Sequence, residues 1–191
     1  MNMNSAALHH DKLTWIAIAR LGLIQASLGA VVVLTTSVLN RVMVIELALP
    51  ALLPGLLVAM HYLVQFIRPR MGFGSDQSGR STPWIQGGML VLASGGVLAA
   101  IAVGLMSENL AWGIALAIVA FMMIGLGVSA SGTALLVLLA KRVDEKRKAA
   151  AASCVWLMMI FGFAMTAGIS GRLLDPFSFE RLVLVLSLIH I

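Results

Sequence analysis

Charged residues are scarce in this sequence. Of its 191 residues only 11% are charged, whereas 60% are hydrophobic, and the mean hydropathy is +1.00. A soluble domain carries about 25% charged residues, because polar groups must cover its surface. The shortage of charge therefore excludes a soluble globule. Apolar runs of about 20 residues, the length that crosses a bilayer, recur along the chain and predict an all-α, polytopic membrane helix bundle.

Cysteine and histidine are also rare. The single cysteine, Cys154, excludes a disulfide framework. The four histidines, His9, His10, His61 and His190, have no metal-ligand spacing, so we predict no metal site. The sequence also lacks a recognisable pair of nucleophile and base or a phosphate-binding loop, and we therefore expect that the chain is not an enzyme.

The apolar runs define the expected membrane spans. All five prolines fall between the runs or in the first turn of one, where the missing N–H costs little. We predict five complete spans and the start of a sixth near Arg181, with the complete spans at residues 15–39, 50–67, 84–106, 111–140 and 149–170.

The lysines and arginines predict the orientation of these spans. Ten of the 13 lie at the start of the first span or in the second and fourth connections. The positive-inside rule places those connections and the N-terminal segment, residues 1–14, in the cytoplasm. We therefore expect a multi-pass protein with a cytoplasmic N-terminus. The pI of about 10.2 is therefore accounted for by membrane topology, and no nucleic acid partner is required. The expected surroundings of the chain are the lipid bilayer.

The last residues are too few for a further span. At about 1.5 Å per residue, the segment after Arg181 is much shorter than the ~30 Å of hydrocarbon that a helix must cross. We expect a bundle over residues 15–185 with a truncated sixth helix. Residues 186–191, LSLIHI, match the translation of a common sequencing-adapter end, and we expect them to be a scar outside the fold.

A motif in the second connection carries a first resemblance. Gly72, Asp76, Gly79 and Arg80 fit the frame G-x-x-x-D-x-x-G-R, which resembles the cytoplasmic motif of major facilitator superfamily transporters. The glycines permit a turn. Asp76 and Arg80 can pair with each other, with neighbouring helix ends or with other charges at a cytoplasmic gate.

A narrower resemblance covers nearly the whole chain. The segments LNRVM-x-x-E-L (Leu39 to Leu47), GSDQSGRSTPWIQGG (Gly74 to Gly88) and GRLLDPFS (Gly171 to Ser178) resemble the PUCC, or bacteriochlorophyll delivery, family of the major facilitator superfamily. The resemblance implies the N-terminal six-helix half of that fold. It also implies a factor for light-harvesting complex assembly that delivers or handles bacteriochlorophyll, which would be bound transiently.

The same resemblance implies partners and a location. The partners would be light-harvesting or reaction-centre polypeptides and pigment-synthesis proteins, in a bacterial cytoplasmic or intracytoplasmic membrane. Asn40, Arg41 and Glu46 fall in the family segment and are predicted in the first outward connection. There Arg41 and Glu46 either form an exposed ion pair of little value or hold the outer ends of two helices together.

Polar side chains within the spans are candidates for a pigment or substrate cavity, because they are costly at membrane depth. His61 and Gln65 lie one turn apart on one face, and His61 is either a ligand of chlorin magnesium or a histidine hydrogen-bonded within the bundle. Gln25 either lines a cavity or lies in a ridge of small residues that serves helix packing. The small-residue pairs Gly125 with Ser129 and Gly127 with Ser131 predict a fourth span in the bundle centre.

Two other functions remain open at this stage. A secondary transporter of a small solute or drug, working by alternating access, would need a buried relay of ionisable groups. His61 is the only such group at the centre of a predicted span, so an assembly factor is favoured over the transporter. The other alternative is a structural subunit without pigment.

Overall fold

The computed structural model describes residues 12–176, 178, 180–182 and 185, and all regular structure in this part of the chain is helical. Five helices are long and apolar enough to cross a membrane: α1 (Trp15–Glu46), α2 (Leu52–Gln77), α3 (Ser81–Met106), α4 (Leu110–Arg142) and α5 (Glu145–Leu173). The prediction of an all-α polytopic membrane bundle is confirmed. Residues 186–191, most of the N-terminal segment and part of the predicted sixth helix lie outside the described residues.

Local sequence determines where several helices begin. The Thr14 hydroxyl accepts a hydrogen bond from the Ala17 N–H at 3.3 Å and caps α1. Asn109 caps α4 in the same way, through the Trp112 N–H at 3.2 Å. Gly79 adopts a φ of +65° between α2 and α3, a conformation that side chains disfavour.

Glycines determine which helices pack together. A Cβ at Gly88 of α3 would lie 2.6 Å from the Ser131 N atom of α4, so these two helices are in backbone contact. A Cβ at Gly162 of α5 would lie 2.8 Å from the Ala26 carbonyl oxygen of α1. Without a hydrophobic force between helices in lipid, such close van der Waals contact drives their association. The bundle is therefore built from the pairs α3 with α4 and α1 with α5, and α2 packs against α4.

The first outward connection is shorter than predicted. Asn40, Arg41 and Glu46 lie on α1, which continues beyond residue 39 through the segment Leu39–Arg41 and the π-helical segment Val42–Glu46. The prediction was wrong because the segment contains no glycine or proline and buries Val42 and Met43 in the core, and this favours a continued helix. The helix ends at Glu46, and Ala48, which follows it, has a φ of +51°.

The second connection is also mainly helical. Pro69 lies in the first turn of the helical segment Arg68–Gln77, where proline is tolerated, so α2 continues through Gly72 and Asp76. The prediction that both glycines form a turn was therefore wrong for Gly72. Its missing Cβ instead permits close approach to α4, since a Cβ there would lie 3.0 Å from Thr133 Cγ2. The turn itself is at Gly79.

Candidate functional site

A cavity of about 300 Å³ lies between α1, α2, α4 and α5. It contains all three residues that the sequence predicted for a pigment or substrate cavity. Its polar lining residues are Gln25, His61, Tyr62, Gln65, Arg68 and Thr133. The rest of the lining is mostly apolar, and Trp156, Met159 and Phe163 of α5 form one wall.

Helix α2 supplies the polar side of the cavity. His61, Gln65 and Arg68 follow one another at i, i+4 and i+7 and so share one face of the helix. His61 is fully buried, although it lies near the middle of a membrane span. A Cβ at Gly125 of α4 would lie 2.8 Å from the His61 carbonyl oxygen, so the absence of a side chain at Gly125 allows α4 to approach and bury this part of α2.

The imidazole of His61 has one partner and one unpaired nitrogen. Its Nε2 atom lies 2.7 Å from Nε2 of Gln65. An amide nitrogen can only donate, so in this arrangement the histidine Nε2 accepts and its Nδ1 carries the proton. Nδ1 is buried and has no hydrogen-bond partner in the part of the chain that the structure describes. Rotation of the Gln65 amide by half a turn would present its oxygen to Nε2 and leave Nδ1 with a free lone pair.

Gln25 brings a second unpaired atom to the cavity. Its Nε2 atom donates to the Met159 sulfur at 3.2 Å, whereas its Oε1 atom is buried and has no partner among the described residues. Sulfur is a weak acceptor, so the amide is poorly satisfied on both sides. Buried polar atoms without partners are uncommon and costly. Two such atoms belong to residues that line the same cavity.

The cytoplasmic motif lies apart from this cavity. The Asp76 carboxylate forms an ion pair with Lys141 and so connects the C-terminal ends of α2 and α4. Arg80 immediately precedes α3, and its backbone N–H donates to the Ser78 hydroxyl at 3.4 Å. Of the pairings open to Asp76, the structure therefore has the one with a charge on another helix.

Asn40, Arg41 and Glu46, from the family segment, form a third group. Arg41 Nη2 lies 3.9 Å from Glu46 Oε1, and both residues belong to α1. This pair is largely exposed and connects no second helix, whereas Asn40 is half-buried. The three sets of predicted site residues thus lie at three separate places. Gln25, His61 and Gln65 line the cavity between the helices, whereas the motif residues line two open pockets, Gly72 and Asp76 in one and Gly79 and Arg80 in the other.

Several residues that line the cavity were not predicted as site residues from the sequence. Arg68 was used only to predict the orientation of the spans. Its spacing of seven residues from His61 nevertheless places both residues on one helical face. The α5 residues Trp156, Met159 and Phe163 carry no polar signal. Only the packing of α1 against α5 brings them to Gln25.

Comparison with known proteins identifies the family. A family model described as PUCC protein matches residues 38–191. This chain belongs to the PUCC family. No solved structure matches the chain.

The PUCC relatives come from bacteria. The chain is 55% identical to the bacteriochlorophyll synthase 44.5 kDa chain of Rhodobacter capsulatus, over 93% of this chain and 41% of the relative. It is 32% identical to protein PucC of the same species, over 87% of this chain and 39% of the relative. Protein PucC of Cereibacter sphaeroides is 31% identical, over 93% of this chain and 41% of the relative. The chain thus spans about two fifths of the length of these relatives.

One relative corrects an expectation drawn from the sequence. The chain was expected not to be an enzyme, but the relative with 55% identity is named as a chain of a bacteriochlorophyll synthase, which points to an enzyme. The expectation was wrong because it depended only on missing motifs. A chain can belong to an enzyme without carrying the motifs that soluble hydrolases and metalloenzymes show.

Proposed function

We propose that this PUCC protein binds a bacteriochlorophyll-type pigment in the cavity between α1, α2, α4 and α5 and supplies it for light-harvesting complex assembly. Membership of the PUCC family and the name of the bacteriochlorophyll synthase relative support the pigment class. The observation that carries the proposal is the pair of buried, unpartnered polar atoms, Gln25 Oε1 and His61 Nδ1, in a mostly apolar cavity.

The residues of the cavity fit such a cargo. A chlorin is a flat apolar ring with carbonyl groups at its edge and magnesium at its centre. The aromatic side chains of Trp156 and Phe163 suit the ring, and the unpaired polar atoms suit its edge or its metal. The volume of about 300 Å³ is smaller than the whole pigment, so the cavity would hold an edge of the ring and the rest of the pigment would lie outside it.

His61 is the proposed magnesium ligand. A neutral imidazole donates a lone pair to a metal when its other nitrogen is held by a partner. Gln65 is within hydrogen-bond distance of Nε2 and is that partner when its amide oxygen faces the ring. The free Nδ1 atom then supplies the lone pair.

The experiment fills the cavity from a position that tolerates a side chain. Gly132 lines the cavity, and a Cβ there would have only one neighbour within 4 Å, Leu28 Cδ1 at 3.9 Å. Gly132→Leu should therefore occupy the cavity without pushing helices apart. Gly168 on α5 has nothing within 4 Å and lies outside the cavity lining, so Gly168→Leu is the matched control. We expect the pigment retained by the purified protein, measured by absorbance, to fall about tenfold in Gly132→Leu only.

A separate experiment tests whether His61 binds the magnesium of the pigment. The wild-type protein should bind the magnesium pigment more tightly than the metal-free pigment, and His61→Leu should remove that preference while retaining residual binding of both. Equal affinities of the wild-type protein for the two pigments would exclude His61 as a ligand. Equal pigment in Gly132→Leu and in the control, or none in the wild type, would overturn the proposal for the cavity.

The arrangement in the cell is part of the same proposal. We place the protein in a bacterial cytoplasmic or intracytoplasmic membrane with its N-terminus in the cytoplasm. Its partners would be light-harvesting or reaction-centre polypeptides and pigment-synthesis proteins. Assignment to one half of a major facilitator fold stays a prediction. A proton-coupled transporter is less well supported, because the described residues that line the cavity include no Asp or Glu.

A further inference from the structure

A second site lies at the cytoplasmic ends of α2, α3 and α4, away from the pigment cavity. A polar pocket of about 480 Å³ opens there, and its lining includes three cationic and three hydroxyl side chains: Arg80, Lys141, Arg142, Ser75, Ser81 and Thr82. Among the described residues, the lining includes no carboxylate. Its charge and hydrogen-bond donors match an anion with several oxygens, such as a phosphate group.

An apolar groove adjoins this pocket. The groove has a volume of about 400 Å³, and its lining includes Met71, Pro83, Trp84, Gly87, Val91 and Leu126. Pro83 lines both the groove and the polar pocket, so the two are neighbours at the start of α3. Pro83, Gly87 and Val91 lie four residues apart along one face of α3, so the groove follows this helix for about 12 Å.

The boundary between groove and pocket lies at the depth of the lipid headgroups. Trp84 lines the groove, and its indole N–H donates to the Ser78 hydroxyl at 3.3 Å in the turn before α3. A tryptophan in this position sits at the interface between water and hydrocarbon. The polar pocket is therefore at headgroup level, and the groove extends into the hydrocarbon.

We propose that the pocket and groove together bind one phosphate-bearing lipid, with the phosphate between Arg80 and Lys141 and a chain along α3. Arg80 contributes most, because its guanidinium has no ion-pair partner among the described residues, whereas Lys141 is already paired with Asp76. The adjoining groove favours a lipid over free phosphate, since only a lipid carries an apolar chain in fixed connection with the phosphate. This site is independent of the pigment cavity and shares no lining residue with it.

The headgroup is tested by removing its charge partner. In neutral detergent, phosphatidic acid and a diacylglycerol with the same chains would be titrated into the purified protein and counted by native mass spectrometry. We expect Arg80→Gln to weaken the binding of phosphatidic acid about tenfold and to leave the binding of diacylglycerol unchanged. Arg70→Gln removes a charge from the same cytoplasmic side but outside the pocket, and should stay within about twofold of wild type.

The chain is tested by filling the groove. A Cβ at Gly87 would meet nothing within 4 Å, so Gly87→Leu should fill the groove without disturbing the packing of α3. Gly104, on the same helix, is equally open but lies outside the groove, and Gly104→Leu is the control. Phosphatidic acid should bind about tenfold more weakly to Gly87→Leu and normally to Gly104→Leu.

Three results would overturn the proposal. Equal binding of diacylglycerol and phosphatidic acid would exclude a phosphate site. An equal loss in Arg70→Gln would reduce it to general surface charge. Displacement of phosphatidic acid by an equal concentration of inorganic phosphate would make the pocket an ion site in which the groove has no part.

Discussion

Replacing Gly127 with alanine adds one methyl group where α3 and α4 are in backbone contact. A Cβ at this position would lie 2.6 Å from the Leu92 backbone N atom and 2.7 Å from the Gly88 carbonyl oxygen. Both are backbone atoms, so no side-chain rotation can relieve the overlap. The two helices must separate, and the hydrogen bond from the Ser131 hydroxyl to the Ile85 carbonyl oxygen, 3.0 Å long, must lengthen with them.

The size of the effect follows from two opposing contributions. Overpacking by one methyl group costs about 1–3 kcal/mol of the free energy of unfolding. Alanine in place of glycine within a helix recovers about 1 kcal/mol. Because backbone atoms are involved, we take the upper part of the first range and expect Gly127→Ala to lower the free energy of unfolding by about 2 kcal/mol.

Gly104→Ala provides the matched control. Gly104 lies on α3, and a Cβ there would meet nothing within 4 Å. We expect this variant to be unchanged or more stable by about 1 kcal/mol. Unfolding by denaturing detergent, followed by circular dichroism or by trapping of the separated helices, measures both. Equal stability of the two variants would refute the close packing of α3 on α4.

Two further predictions concern the cytoplasmic side. Cys154 should be shielded from an impermeant thiol reagent added outside intact cells, whereas a cysteine introduced at Ser107 should react; the opposite pattern would reverse the orientation derived from charge. The ammonium group of Lys12 donates to the Asp144 carboxylate at 2.5 Å and lowers the pKa of that carboxyl below its ordinary value. The pair therefore contributes fully above the ordinary pKa of an aspartate and is lost as the pH falls through the lowered value. An NMR titration should show a higher pKa for Asp144 in Lys12→Gln, and an unchanged pKa would contradict the pairing.

The helix boundaries differ from those predicted from local sequence at two places. Pro69 was predicted to lie in the connection between two spans, but α2 continues through it. Pro69 lies in the first turn of the segment Arg68–Gln77, where a proline loses no hydrogen bond. Residues 40–46 were taken as a connection because they carry charge. The packing of Val42 and Met43 into the core keeps them helical. The first outcome has a local cause, whereas the second depended on core contacts that no local pattern contains.

The sequence by itself determined that this is a membrane protein with five long apolar helices, because crossing a bilayer depends on the length and hydropathy of each segment alone. It also indicated that Gln25, His61 and Gln65 were unusual, since polar groups at membrane depth are costly wherever they lie. Only the tertiary structure decided that these three residues share a cavity and that Asp76 pairs with Lys141. Those relations join residues far apart in the chain, and they depend on which helices the glycines allow into contact.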